Sequence, residues 1–339
     1  MHDTPHRRAI PLFILISQPH PRSMITSHTR RDFVRFAFAA LPGAAWLGSV
    51  SQLCAAEKPN SKFAGVQIGL NVPYSFGKGD MSGDDILRNC VELGLSGVEL
   101  RTQPVEAFLG VPQELAGGRK GEPAVAGRAE KLRDWRKSVS MDRVKEFRSK
   151  YETAGVRIEI VKVDGILKMS DDEIDYAFHL AKALGGCAIS TEISHTAEAD
   201  REHERLGHFA DKHQLMVGYH GHATTKPADW EKVFSFAKFN GANVDLGHFV
   251  AGNNTSPVPF LKQYHERVTH VHLKDRKFNN GGNTPFGEGD TPIAEVLRLI
   301  RDEKWKFQGT IEFEYKVPEG SDRMKELARC IRFCRDALA

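Results

Sequence analysis

The chain has 339 residues, long enough for one large hydrophobic core. Its formal charge of +3 arises in the first 56 residues, which hold six Arg and two Asp and leave 41 basic against 42 acidic residues in the remainder. Without a basic excess there, contact with a phosphate backbone has no electrostatic footing, and nucleic acid is excluded as the expected partner.

In chain order, residues 1–56 read as a leader. Thr29-Arg30-Arg31-Asp32-Phe33-Val34-Arg35 resembles the twin-arginine export motif. It precedes an apolar run over 36–50, broken by Pro42-Gly43, that ends near Cys54-Ala55-Ala56. That is the charged, apolar and small-residue succession of a secretory signal, and the run is shorter than the ~20 residues a membrane span needs. The expectation is export by the twin-arginine route to the periplasm, a mature chain starting near Glu57, and no membrane contact after cleavage. Residues 1–23 carry neither signal nor fold pattern, so Met24 could be the start. Beyond the leader, Cys90, Cys187, Cys330 and Cys334 lack C-x-x-C spacing, and no disulfide framework is expected.

From residue 63 onward, strand-like and helix-like segments alternate. A strand over 64–71 leads to a helix near 84–93, a second strand over 97–101, and a long irregular stretch over 102–139. A helix over 141–154 then leads to a strand over 156–163. The remaining strands are expected over 188–194, 215–222, 242–246, 268–273 and 309–315. Helices separate them, and a last helix over 322–338 closes the chain. Eight such units without a linker predict an α/β fold, a single (β/α)8 TIM barrel over 57–339. The rival, an open doubly wound sheet, lacks its G-x-G-x-x-G turn here, and the chemistry follows many strands rather than one switch point.

Four strand ends carry that chemistry: Gly218-Tyr219-His220-Gly221-His222, Asn243-Val244-Asp245-Leu246-Gly247-His248, Thr269-His270-Val271-His272-Leu273-Lys274-Asp275 and Gly309-Thr310-Ile311-Glu312-Phe313-Glu314. Alternate strand residues share a face, so His220/His222, His270/His272/Lys274 and Glu312/Glu314 each project together. Inward carboxylates and imidazoles cost several kcal/mol unless paired or metal-bound. Asp245 ends the sixth strand and His248 lies in the turn after it. The alternative is Asp245 as a turn cap and His248 as an imidazole packed beneath a loop; with His272 and Glu314 on the next two strands, a metal site is the stronger reading. Glu192 ends the fourth strand, as a site acid or as a salt-bridge partner inside the rim. Glu99 and Arg101 are expected to pair with each other, and Gln67, Gly69 and Asn71 to line the floor. Lys274, Asp275 and Arg276 open the seventh loop, where a cation could polarise a carbonyl or bind a hydroxyl. His195, His203, His208, His213 and His265 are expected to be solvated.

From Phe63 on, the chain resembles the xylose isomerase-like TIM-barrel superfamily of sugar isomerases and epimerases. The resemblance rests on Tyr219-His-Gly-His222, Asp245-Leu-Gly-His248, His270-Val-His272-Leu-Lys-Asp275, Phe286-Gly-Glu-Gly-Asp290 and Glu312-Phe-Glu314. It implies one divalent ion (Mn, Mg, Zn or Co) on Glu192, Asp245, His272 and Glu314, with His220 as the reserve ligand. The ketose 3-epimerases carry a glutamate on the fifth strand where this chain has His220 and His222. A His-rich fifth strand is similar to the inosose dehydratase branch.

The resemblance further implies proton abstraction beside a carbonyl, with Glu192, His222, Glu314, Lys274 and His248 as catalytic candidates. The first expectation is an isomerase or epimerase of an unphosphorylated keto-sugar or cyclitol, a small-molecule partner. The alternative is a dehydratase or β-eliminase of a keto-glycoside or inosose, in which His222 protonates the leaving oxygen. A non-catalytic sugar-binding barrel and the endonuclease IV branch follow, the latter opposed by the charge balance. A homo-oligomer is compatible with each.

Overall fold

In the computed structural model, which describes residues 58–116 and 126–339, eight parallel strands close into a barrel. They are β1 (Val66–Val72), β2 (Gly97–Arg101), β3 (Arg157–Lys162), β4 (Ala188–Glu192), β5 (Met216–His220), β6 (Asn240–Asp245), β7 (Val268–Leu273) and β8 (Gln308–Ile311). Each pairs with the next, and β8 pairs with β1 to complete the ring. The twin-arginine motif and its apolar run lie outside the described residues.

Helices cover the barrel: α1 (Gly83–Glu92), α2 (Thr102–Phe108), α3 (Arg128–Ser138), α4 (Met141–Thr153), α5 (Asp171–Leu184), α6 (Ala199–His213), α7 (Pro227–Phe236), α8 (Leu246–Asn253), α9 (Val258–Tyr264), α10 (Ile293–Asp302) and α11 (Arg323–Leu338). Local chemistry sets their ends. Ser170 and Glu173 form a capping box at the start of α5, and Gly185, in the left-handed region at φ 83°, stops it.

Period-two alternation divides each strand between two environments. Ile68, Leu70, Val98, Leu100, Val161, Ile189, Val217, Val244 and Val271 are fully buried in the apolar core. Each such side chain contributes roughly 1.5–3 kcal/mol by leaving water. Their neighbours in sequence point into the bore, and there the residues are polar. Barrel interiors are usually filled by branched aliphatics; this one holds Gln67, Glu99, Lys162, Asn243, His270, His272 and Gln308. Gly69 makes room at the lower end, because a Cβ there would lie 2.3 Å from Gln308 Cδ. A two-residue strand, Lys62–Phe63, pairs antiparallel with β1 at that end.

Several elements differ from expectation. The stretch 102–139 contains α2 and α3 rather than only loop. Arg136 of α3 ties them down, donating to Glu106 of α2 at 2.8 Å and to Glu173 of α5 at 2.9 Å. Residues 246–253 form α8 instead of a turn. β8 stops at Ile311, so residues 312–314 leave the pleat. Glu99 and Arg101 do not pair: Arg101 forms an ion pair with Asp164, while Glu99 turns into the bore. Of the floor residues, only Asn71 reaches the upper site; Gln67 bonds to Ser61 below it. His203 and His213 are buried, not solvated: His203 packs edge-on against Tyr219, and His213 lies 2.7 Å from Asp175.

Candidate active site

Register brings the chemistry to one end. Glu192 lies beside His220, Asn243 beside His270, and Asp245 beside His272 in adjacent parallel strands. Such neighbours point the same way, so strands distant in sequence deliver their terminal side chains to one rim.

Four residues, His220, Asp245, His248 and Glu312, each present one ligand atom within 4.8 Å of the others. His220 Nε2 lies 3.6 Å from Asp245 Oδ2 and 4.0 Å from Glu312 Oε2. His272 Nδ1 faces the same two oxygens at 3.8 and 3.3 Å. Asp245 has a second task, since its Oδ1 accepts the His248 N–H at 2.7 Å and caps α8. The two alternatives for Asp245 are therefore not exclusive: one oxygen caps, and the other faces the cluster.

Lys274 is the cation of this group. Its Nζ lies 2.7 Å from Glu312 Oε2, 2.8 Å from Glu314 Oε2 and 3.1 Å from Asp245 Oδ2. Burial alone would discharge it, but Asp245, Glu312 and Glu314 outweigh that and raise its pKa. Burial likewise opposes the charge of Glu312, and His272 and Lys274 hold its carboxyl well below the usual range. His248 stays neutral, lowered to about 4 by burial against the pull of Asp245. Its ring nitrogens lie 3.1 Å from Lys274 Nζ and 2.7 Å from Arg276 Nη1.

A second group stands at the mouth. Glu192 Oε2 accepts from His220 Nδ1 at 2.9 Å and from His222 Nε2 at 2.7 Å, and its other oxygen is ion-paired with the buried Lys162. Burial opposes the charge on Glu192; the two histidines and Lys162 restore it and lower its pKa. His222 is 55% exposed. Its bond to Glu192 raises its pKa against a smaller effect of burial.

The structure thus joins Asp245, His220, His248, His272 and Lys274 in one cluster, and Glu192 and His222 beside it. Glu314 lies at the edge of the cluster: Lys274 and Asn283 bond to its Oε2, and Tyr74 donates to its Oε1 at 2.5 Å. Glu312 takes the buried position, accepting from Asn71 at 2.9 Å. Sequence reasoning passed over Lys162; it grouped Glu312 with Glu314 without making it a ligand, and it offered Arg276 only as a loop cation. The signal for Glu312 was the alternation that set it on one face with Glu314.

A divalent ion fits these donors. His220 Nε2 and His272 Nδ1 are buried without a hydrogen-bond partner, and Asp245 Oδ2 has only its ion pair with Lys274; an unfilled buried polar atom costs a few kcal/mol. Ligands about 2.1 Å from one ion in a tetrahedral shell lie about 3.4 Å apart, and the four imidazole–carboxylate separations of His220 and His272 from Asp245 and Glu312 are 3.3–4.0 Å. Mixed carboxylate and imidazole donors suit Mn, Zn or Co.

Residues 87–336 match the xylose isomerase-like TIM barrel family. An inosose dehydratase of Clostridium botulinum is 35% identical over 133 residues, spanning 32% of this chain and 44% of that protein. The chain spans less than half the length of the curated relatives it matches. D-psicose 3-epimerase from Clostridium cellulolyticum H10, solved with D-tagatose, aligns at a TM-score of 0.58 and 10% identity over 80% of this chain and 99% of that one. A xylose isomerase-like TIM barrel protein from Mycobacterium smegmatis, solved in complex with magnesium, aligns at 0.50 and 14% identity, over 80% and 96%. At such identities the structural likeness shows the fold. With the match over residues 87–336 and eight strands closed into a barrel, the chain belongs to the xylose isomerase-like TIM barrel family.

Proposed function

We propose that this chain is a divalent-metal-dependent lyase that removes water or another β-substituent from a carbonyl-bearing carbohydrate or cyclitol. The observation that carries the reading is the Glu192–His222 pair, an exposed imidazole held at 2.7 Å beside a buried donor cluster. A leaving oxygen needs a proton near neutral pH, and a histidine whose pKa is raised by its carboxylate supplies one. The inosose dehydratase relatives support the same choice over the isomerase or epimerase expected first from the sequence.

His220, Asp245, His272 and Glu312 would hold the ion, with His248 beside them. When bound there, a divalent cation polarises the substrate carbonyl and acidifies the adjacent C–H. Glu314, 23% exposed and beside the cluster, accepts that proton. Lys274 and Tyr74 hold its two oxygens in place. The electron pair of the broken C–H bond forms the new C=C bond as the β C–O bond breaks. The His222 imidazolium gives its proton to the departing oxygen, while Glu192 keeps the ring oriented. Glu314 loses its proton and His222 regains one through solvent, so the net change is loss of the β-substituent with one proton.

The test is a panel of inososes and keto-sugars, with Mn2+, in D2O. We expect an unsaturated product absorbing in the ultraviolet. Glu314→Gln should abolish it, and His222→Ala should suppress elimination more than deuterium exchange. Exchange without elimination in the wild type would contradict this reading and favour the isomerase or epimerase. Export by the twin-arginine route is part of the proposal, resting on Arg30 and Arg31 ahead of the apolar run.

A further inference from the structure

Glu99, near the end of β2, is a fully buried carboxylate that the proposed reaction does not use. Its Oε2 lies 2.6 Å from His272 Nε2 and 3.4 Å from His270 Nε2, and both imidazoles are themselves fully buried. The contact spans the bore, since β8 and β1 separate β7 from β2 around the ring. His270 is anchored from its other side by Thr269 Oγ1 at 2.9 Å.

We propose that Glu99 is a positioning residue that fixes His272 as an Nδ1 ligand and strengthens cation binding in the cluster, an inference that rests on the metal reading above. His272 Nε2 has two neighbours, Glu99 Oε2 at 2.6 Å and the Asn243 amide at 3.1 Å; the shorter contact is to a carboxylate, which only accepts, so the proton of a neutral His272 ring belongs on Nε2. The Nδ1 lone pair is then directed at Asp245 Oδ2 and Glu312 Oε2, 3.8 and 3.3 Å away. A lone pair and two anionic oxygens repel one another unless a proton on Nδ1 or a metal ion lies among them. The carboxylate behind the ring also makes Nδ1 a better donor, as carboxylate–histidine pairs do for metals elsewhere. Glu99 thus selects the tautomer and adds negative charge without occupying a coordination position.

The experiment is calorimetric titration of metal-stripped wild type, Glu99→Gln and Glu99→Asp with Mn2+. Alongside it, 15N NMR of the Zn2+-loaded protein reports whether His272 Nε2 carries the proton. Glu99→Asp retains the charge but withdraws it by one methylene, which guards against a glutamine variant that does not fold. The expected result is unchanged stoichiometry and affinity weakened about 10–100-fold in Glu99→Gln, less in Glu99→Asp, with loss of the Nε2-protonated signature. Wild-type affinity in either folded variant would overturn the role of Glu99 and leave the metal site standing. Absence of saturable Mn2+ binding by the wild type would bring down the metal reading and this inference together.

Discussion

Lys274 Nζ lies 2.7 Å from Glu312 Oε2, and the two side chains are only 2% and 6% exposed. The same ammonium faces Asp245 and Glu314, so one positive charge serves three carboxylates. Protonated His272 would add a second, its pKa driven to about 10 by Glu312 and Glu99 against the opposing effect of burial. The group has capacity for a divalent ion, with His272 becoming a neutral ligand as the ion enters.

Replacing Lys274 with methionine removes the ammonium and keeps most of the stem's volume. Breaking a buried ion pair costs about 3–5 kcal/mol because charge is left uncompensated. The metal-free variant should therefore melt well below the wild type. Mn2+ should raise its melting temperature more than it raises that of the wild type, since the ion takes over the lost charge. Scanning calorimetry with and without Mn2+ checks this; equal shifts in both proteins would count against it.

Glu312→Gln and Glu314→Gln separate the two carboxylates of the last strand end. Glu312 faces His220 and His272, whereas Glu314 is bonded to Tyr74, Lys274 and Asn283. Equilibrium dialysis should show divalent-ion affinity reduced at least 10-fold in the first variant and nearly retained in the second. The reverse order would return the ligand role to Glu314.

That pair also shows what the sequence could and could not reveal. The barrel was legible because eight hydrophobic runs alternate with helical segments, and Asp245, His220 and His272 were legible because each sits in or at the end of a regular strand. Glu314 was preferred through the resemblance, by its place at the end of a strand expected to run to residue 315, with 312 and 314 on one face. The strand stops at Ile311, so the alternation no longer applies. Glu99 was matched to Arg101 by proximity along the chain. In the barrel Arg101 lies next to Lys162 of β3, which brings Asp164 within reach and leaves Glu99 to the bore. Cross-bore contacts have no sequence signature, because the closing of the ring creates them. The helix α8 was missed because its eight residues are short and largely apolar, with Asp245 serving as both cap and site residue.

His203 sets a pH dependence of stability away from the cluster. Burial lowers its pKa to about 4, against a smaller opposing pull from Asp200, and its Nε2 accepts the Ser194 N–H at 3.1 Å. Between pH 6.5 and about 4 the unfolded chain binds a proton that folded His203 refuses, so stability falls as pH falls through that window. Urea unfolding at pH 7 and pH 5 should show a larger loss for the wild type than for His203→Gln, which keeps an acceptor without titrating. Equal losses would assign the acid sensitivity to other groups.

Export has its own test. Replacing Arg30 and Arg31 with lysine should leave unprocessed precursor in the cytoplasm, read by fractionation and N-terminal sequencing. Mature protein beginning near Glu57 in that variant would exclude the twin-arginine route.

The most direct measurement is elemental analysis of wild type and Asp245→Ala purified without chelator. About one divalent ion per chain is expected in the wild type, and most of it should be lost in the variant, whose missing carboxylate faces both His220 and His272. Circular dichroism would confirm that the variant is folded. A metal-free wild type after exposure to Mn2+, Zn2+, Co2+ and Mg2+, or full occupancy in folded Asp245→Ala, would contradict a metal centre at this rim.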